Sequence, residues 1–194
     1  MTIYIRVEDF PMTQMRFNYS VLQELLISLH VLEDYRSYPL HTNWSISTLR
    51  KLSSELQQER AYFRMLIATM ILGLWDADAV EVSTFESEIA QFAGRPLADF
   101  STLIVSRMVM EQPPAQKTVI ENKMTLEELE FDPIMQEYAQ SWLVTHFPES
   151  RRLLDDLMAD AQAVKNRFIQ FLQMYWDNHF CDFWQTHESY FVSD

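Results

Sequence analysis

The sequence is short of glycine, because its 194 residues include only Gly73 and Gly94. Globular proteins usually contain about 7% glycine. Tight turns between strands need glycine, and so do the loops that wrap the phosphates of nucleotides. The shortage argues against a sheet-rich fold and against a dinucleotide-binding or P-loop site. It favours helices that are joined by short polar or proline-bearing turns.

Cysteine is also scarce, since Cys181 is the one example. No internal disulfide can form, which fits a reducing compartment. Residues 1–9 lack the basic start and the apolar core of a signal peptide. The longest apolar run, residues 65–75, is far shorter than the ~20 residues that cross a bilayer. The sequence therefore predicts a cytoplasmic protein without a membrane partner.

Basic residues are outnumbered, with 15 Lys and Arg against 28 Asp and Glu, and they form no block. Proteins bind phosphate backbones largely through Lys and Arg, so a net charge of −13 should repel nucleic acid over most of the surface. The acidity also disfavours anionic membranes. Its simplest role is to keep an apolar protein soluble.

Helix-period patterns and capping signals cover most of the chain. Ser20 is a predicted N-cap, Thr125 with Glu128 has the spacing of a capping box, and so has Ser83 with Glu86. Residues 47–75 are predicted as one long helix or as two helices end to end. The full set of predicted helices is 19–33, 47–75, 83–94, 96–110, 125–130, 132–146 and 153–191.

Residues 3–7 alternate apolar and polar side chains, which predicts a short strand that Pro11 ends. No second strand is convincing, so the strand would pair with another subunit or with a segment outside this sequence. The overall prediction is an all-α fold, a multi-helix bundle with a short N-terminal β-strand and a long C-terminal amphipathic helix. Residues 1–194 are expected to form a single regulatory or dimerisation domain.

The predicted terminal helix, residues 153–191, carries an apolar stripe that becomes aromatic toward its end. The sequence stops at Asp194, with no later element to cover this stripe. We therefore expect another protein to cover it and predict a homodimer. The interface candidates are Tyr175, Phe180, Phe183, Trp184, Tyr190 and Phe191.

No pattern of residues predicts catalysis or metal binding. Cys181 lies within the aromatic helix, and the sequence has no G-x-S-x-G nucleophile elbow. Near Cys181 and His187, His179 and Asp182 have the spacing that puts two ligands on one helical face, but the H-x-x-x-H and C-x-x-C motifs are absent. We predict a protein that is not an enzyme and has no cofactor or metal.

The surplus of large apolar side chains is more informative. The chain has five Trp, eight Tyr, thirteen Phe and eleven Met. Such residues form a packed interior, and they also line adaptable pockets between helices. If a ligand pocket exists, the candidates are Trp44, Tyr62, Trp142, Trp176, His30 and His41.

Two neighbouring segments carry a family resemblance. The stretch from Tyr19 to Leu32, YSVLQELLISLHVL, is followed by YPLHTNW from Tyr38 to Trp44. Together they resemble the N-terminal region of certain bacterial ArsR-type transcriptional regulators, and residues 171–184 are similar to the segment that leads into that family's winged helix. The resemblance implies an all-helical regulatory domain that precedes a DNA-binding winged helix.

The sequence departs from that family because it has no winged helix, which would need about 80 to 90 further residues and a basic recognition helix. DNA binding is therefore expected only through a domain that this chain lacks. The leading hypothesis is a sensor or dimerisation domain of a bacterial transcriptional regulator, with a small-molecule effector that biases the arrangement of two helices. The alternative is a stand-alone helical scaffold for protein interactions.

Overall fold

The computed structural model describes residues 20–69, 84–109 and 124–187, and the regular elements in these three ranges are all helical. The all-α prediction is confirmed. The predicted strand at residues 3–7 lies outside the described residues. The α-helices are α1 (Val21–Glu33), α2 (Thr42–Lys51), α3 (Ser54–Tyr62), α4 (Arg64–Ala68), α5 (Phe85–Gly94), α6 (Leu97–Val109), α7 (Leu126–Glu130), α8 (Pro133–His146), α9 (Leu153–Tyr175) and α10 (Cys181–His187).

Short 3₁₀ turns at Pro39–His41 and Pro148–Ser150 precede α2 and α9, and a π-helical turn, Trp176–Phe180, joins α9 to α10. Of the helices described, none combines the length and the apolar character that crossing a membrane requires.

Several helix starts agree with the capping signals. The Ser20 hydroxyl accepts a hydrogen bond from the Gln23 amide at 3.0 Å. Thr125 and Glu128 form the predicted capping box of α7. Asp132 caps α8 by accepting from two amides, with Pro133 as the first helical residue. Short polar side chains at these positions satisfy amides that have no partner within the helix.

Two predicted boundaries are wrong. The prediction of one helix or two over residues 47–75 is replaced, within residues 20–69, by three shorter helices, because α2 begins earlier, at Thr42, the chain is extended at Leu52, and α3 and α4 follow. Residues 70–75 of that prediction lie outside the described residues. Ser53 then caps α3 by accepting from the Leu56 amide at 3.2 Å. The capping box of α5 is formed by Thr84 with Ser87, one residue later than the predicted pair.

The predicted unbroken helix over residues 153–191 is also wrong in detail. Asp160 leaves the helical conformation, with φ −158° and ψ 86°, and its carboxylate accepts from the Ala163 amide at 2.9 Å. Aspartate competes for nearby backbone amides in this way, so it starts the second half of α9 as a cap would. A second irregularity is the π-helical turn after Tyr175. Residues 188–191 of the prediction lie outside the described part.

The centre of the molecule is a cluster of phenylalanine rings around α9. Phe168 is 1% exposed, and its ring centroid lies 4.9 Å from that of Phe63, 6.1 Å from Phe92 and 6.2 Å from Phe100. These rings come from α9, the turn before α4, α5 and α6. Helix α9 is therefore the element against which α3, α5 and α6 pack.

A buried carboxylate joins α5 to the start of α1. Glu88 is 5% exposed and accepts from the Ser20 hydroxyl at 2.6 Å, the Val21 amide at 3.1 Å and the Leu22 amide at 2.9 Å. The N-terminus of a helix favours negative charge, because its first amides are unpaired and its dipole is positive there. Glu88 thus holds the first turn of α1 against α5.

A buried lysine stabilises the other end of α5. Lys165 on α9 donates to the carbonyl oxygens of Ala93 at 2.9 Å and Arg95 at 2.6 Å. These carbonyls lie at the C-terminus of α5, where a helix favours a cation. Desolvation lowers the pKa of the Lys165 ammonium, although Asp99 acts in the opposite direction. Both ends of α5 are therefore connected to other helices by charged side chains.

The Glu88 contact predicts a large effect on stability. Glu88→Ala should lower the free energy of unfolding by about 3 kcal/mol, because it leaves buried donors without an acceptor. Chemical denaturation followed by circular dichroism measures this change. The matched control is Glu86→Ala, an exposed residue on the same helix, which should cost under about 1 kcal/mol. Equal losses for the two variants would contradict the role of Glu88.

Candidate functional site

An apolar cavity of about 430 Å³ lies between α1, the start of α2 and the terminal segment, which consists of the π-helical turn Trp176–Phe180 and α10. We call it the aromatic groove. Its volume falls within the range of about 300 to 1,000 Å³ that is common for small-molecule sites. The residues that line it are Glu24, Ile27, Ser28, Val31, His41, Trp44, Phe180, Phe183 and Trp184.

Three of the four large rings come from one face of the terminal segment. Phe180, Phe183 and Trp184 are spaced by three and four residues, so they project from the same side of a helix. Phe180 and Trp184 are 2% and 4% exposed, whereas Phe183 is 39% exposed. The Phe180 ring lies 5.7 Å from Phe183 and 6.0 Å from Trp184. The terminal segment thus offers a continuous aromatic wall.

The fourth ring comes from the opposite side. Pro39 starts the 3₁₀ turn that leads into α2, and this turn places Trp44 in the first turn of α2. The centroid of the half-buried Trp44 ring lies 6.1 Å from that of Phe183. Contact between Trp44 and Phe183 therefore joins the two walls.

A polar pair lies where α1 meets α9. The Ser28 hydroxyl donates to the Leu25 carbonyl at 2.7 Å and lies 3.2 Å from the Tyr175 hydroxyl. Tyr175 is 1% exposed, and burial raises the pKa of its phenol to about 12 although the bond to Ser28 acts against this. The Tyr175 phenol is therefore neutral at physiological pH and acts as a hydrogen-bonding group.

Glu24 is the acidic side chain in the wall of the groove. It is half-buried, and within the described ranges no hydrogen bond or ion pair connects its carboxylate to another residue. Desolvation by burial raises the pKa of this carboxyl above its ordinary value of 4.5. An ionised carboxylate in partly apolar surroundings without a partner costs free energy.

The chemistry of the groove suits binding. Small-molecule sites typically combine an apolar wall with a few polar groups, and here these groups are Glu24, Ser28 and His41. The nearby Cys181 thiol has its pKa raised by burial and by neighbouring carboxylates, which opposes formation of a thiolate. In the portion of the chain that the structure describes, no group of three or more His, Cys, Asp or Glu could hold a metal ion.

The structure places two of the six predicted pocket residues, His41 and Trp44, in the groove. Trp176 is buried on another side of the terminal segment, where its ring stacks on Phe85 at 4.4 Å. Trp142 on α8 packs against His146 on the same helix and against Phe147, which follows the end of α8. These two tryptophans belong to the core.

Tyr62 and His30 also lie elsewhere. The Tyr62 hydroxyl donates to Asp156 at 2.8 Å, and burial raises the pKa of its phenol. The guanidinium of Arg167 covers the Tyr62 ring at 3.8 Å. His30 lies with its Nδ1 3.2 Å from the Ile67 carbonyl oxygen. Both side chains link helices within the fold.

Of the predicted interface residues, Phe180, Phe183 and Trp184 line the groove. Tyr175, Phe180 and Trp184 are buried by their own chain, so they do not need a second chain to cover them. Tyr190 and Phe191 lie outside the described residues. Phe183 is 39% exposed, and the predicted homodimer contact through this side chain stays a prediction.

Sequence reasoning missed the wall that α1 contributes. Glu24, Ile27, Ser28 and Val31 follow the spacing of one helical face, next to the leucine face that packs into the core. Ile27 and Val31 lie beside the leucine stripe of α1 and widen its apolar face. This wider face is the feature of the sequence that indicates a second contact surface on α1. The sequence does not indicate which residues pack opposite this surface, because residues 180–184 are distant from α1 along the chain.

A second depression, of about 610 Å³, lies between α3 and α9 and is lined mainly by charged and amide-bearing residues. Its wall includes Arg167, which binds Glu59 through two hydrogen bonds of 2.8 and 2.9 Å. This bidentate pair engages Arg167, the one cation among the described residues of the lining, together with Glu59. The aromatic groove is therefore the better candidate for a binding site.

Comparison with known proteins identifies a family without assigning a function. Residues 1–194 match the model of a family described as "Family of unknown function (DUF5937)", so the chain belongs to that family. Neither the curated proteins nor the solved structures include a significant match. Nothing in these comparisons links the chain to ArsR-type regulators, and that resemblance stays a prediction.

The raised pKa of Glu24 predicts how stability depends on pH. The folded state holds the proton of this carboxyl more tightly than the unfolded state, so the stability that Glu24 contributes is lost as the pH rises above about 4.5. Glu24→Gln should match the parent at pH 4 and be more stable at pH 8, by less than about 1 kcal/mol because the group stays partly solvated. Denaturation midpoints at both pH values test this, and a variant less stable at pH 8 would contradict it.

Proposed function

We propose that this member of the DUF5937 family is the sensor domain of a bacterial transcriptional regulator. The aromatic groove binds a small-molecule effector, and the terminal helices transmit its binding. The observation that carries the proposal is that residues far apart in sequence, Trp44 on α2 and Phe183 on α10, close one apolar cavity from opposite sides.

Binding would act on the position of α10. A ligand in the groove that packs against Trp44 and Phe183 adds burial to the Phe183 ring, which is 39% exposed, and so favours the arrangement in which α10 lies against α1 and α2. The π-helical turn that precedes α10 supports this, because such turns interrupt regular helix bonding and frequently occur at functional sites. Movement at this turn would change how α10 is presented to a partner.

The regulatory setting comes from the resemblance described above. The residues that resemble ArsR-type regulators include α1 and the turn through Trp44, and these are also the segments that form one wall of the groove. The acidic chain is unsuited to DNA, so contact with an operator would need a separate winged-helix domain. The proposal places the protein in the cytoplasm, where such regulators act.

A second candidate function is a scaffold for protein interactions. It is favoured by apolar side chains that the described structure leaves uncovered, with Leu40 94%, Phe131 80% and Ile134 72% exposed. Phe131 and Ile134 lie close together in sequence at the junction of α7 and α8. Exposed apolar groups of this kind mark interaction surfaces when they form a patch.

A neutral dye tests whether the groove binds ligands. Nile red, whose emission depends on polarity, should bind the parent protein with an increase in fluorescence. Trp44→Ala and Phe183→Ala should each weaken this binding about tenfold, because each removes aromatic surface from the cavity. Fluorescence titration gives the dissociation constants.

Phe131→Ala is the control for the dye experiment, because it removes an equally large exposed ring far from the groove in sequence. It should leave the affinity unchanged. Circular dichroism confirms that the variants are folded. Equal weakening by all three variants, or no binding to the parent, would refute the groove as a ligand site.

The predicted homodimer is tested by light scattering. The parent should show twice the monomer mass, and Phe183→Glu should shift it toward the monomer, because a carboxylate in an apolar contact is costly to desolvate. Phe131→Glu should keep the parent's mass. A parent that stays monomeric at high concentration would refute the dimer, and an unchanged dimer in Phe183→Glu would exclude this side chain as its contact.

A further inference from the structure

The lining of the aromatic groove also indicates which ligands it selects. We infer that the effector is an apolar organic cation, a quaternary ammonium or protonated amine attached to an aromatic or aliphatic body, and this inference rests on the proposed function. The geometry behind it is a set of four aromatic rings and one carboxylate around a single cavity.

The rings of the groove favour a cation. Trp44 and Trp184 flank the groove together with two phenylalanines, and Trp44 comes within 6.1 Å of Phe183. The faces of aromatic rings carry partial negative charge, and several rings around one space attract a cation that has little hydration of its own. A quaternary ammonium fits this description, because its methyl groups cannot donate hydrogen bonds to water.

The carboxylate of Glu24 also favours a cation. This carboxylate shares the cavity with the rings, and in the three described ranges no side chain or backbone amide pairs with it. Other half-buried or buried acids of this molecule do have partners: Glu33 pairs with Arg60 and Arg64, and Glu59 pairs with Arg167. A ligand cation would satisfy a charge that the protein leaves unpaired.

The overall charge adds a longer-range preference. The net charge of −13 raises the local concentration of cations and lowers that of anions near the surface. An anionic ligand would meet both this field and the Glu24 carboxylate. The described residues that line the groove include no Lys or Arg that could pair with an anion.

Three probes of nearly equal shape separate the effect of ligand charge on affinity from the effect of ligand shape. Benzyltrimethylammonium is the cation, neopentylbenzene is its neutral isostere with carbon in place of nitrogen, and benzylsulfonate is the anion. Each is titrated into the full chain at pH 8 and followed by tryptophan fluorescence and by displacement of Nile red. The cation should bind about tenfold more tightly than the neutral isostere, and the anion more weakly than both.

Glu24→Gln separates the carboxylate from the rings. It should reduce the cation's advantage over the neutral isostere to about threefold or less, which is the part that the rings supply, while the affinity for the neutral isostere stays the same. The control is Glu137→Gln on α8, an exposed acid outside the groove, which should leave all three affinities unchanged.

The outcomes distinguish this inference from the proposed function. If Nile red and the neutral isostere bind in the groove but the cation binds no more tightly, the ligand class is wrong and the sensor proposal stands. If the anion binds most tightly, the inference is likewise overturned. If Nile red and all three probes fail to bind, the groove is not a ligand site and both proposals fall.

Discussion

The fold depends on burial of the aromatic face of α9 within its own chain. The rings of Phe168 and Phe171 lie close to Phe63, and the first of them also lies close to Phe92 and Phe100. Each such ring removes a large apolar area from water, and tilted or edge-to-face pairs add attraction beyond that area. Because the rings come from four separate segments, α9 can bury its face only when α3 to α6 surround it. The charged contacts at both ends of α5 then fix where that helix lies.

The π-helical turn between α9 and α10 changes which neighbouring helices the aromatic side chains contact. Up to Tyr175, the aromatic residues face the core, and Tyr175 itself reaches Ser28 on α1. One turn of wider helix then alters the register, so that Phe180, Phe183 and Trp184 face α1 and α2 across a space that no side chain of the described residues fills. In a regular α-helix, the apolar stripe would keep nearly the same direction around the helix axis from one turn to the next. The groove is therefore a consequence of this local irregularity in a strongly apolar segment.

Local signals in the sequence predict much of the fold and little of the site. Ser20, Thr125 and Asp132 mark helix starts because a cap acts on amides within three residues, which makes the signal readable from neighbours alone. Asp160 escapes the same reasoning, because an aspartate in an amphipathic stretch also fits the solvent face of an unbroken helix. The groove joins α1 to residues about 155 positions later, since Glu24 and Phe180 share its wall, and no local pattern encodes that contact.

The buried and half-buried acidic side chains of this protein differ in whether other residues pair with them. Glu88 is almost fully buried and accepts three hydrogen bonds that hold α1 in place. Glu33 is likewise paired, and both side chains serve the fold. Glu24 is half-buried in the wall of an aromatic cavity, and within the described ranges no residue pairs with its carboxylate. The difference between these acids is therefore one of pairing: the first two are satisfied within the fold, whereas the carboxylate of Glu24 is the one to which the inferred ligand cation would bind.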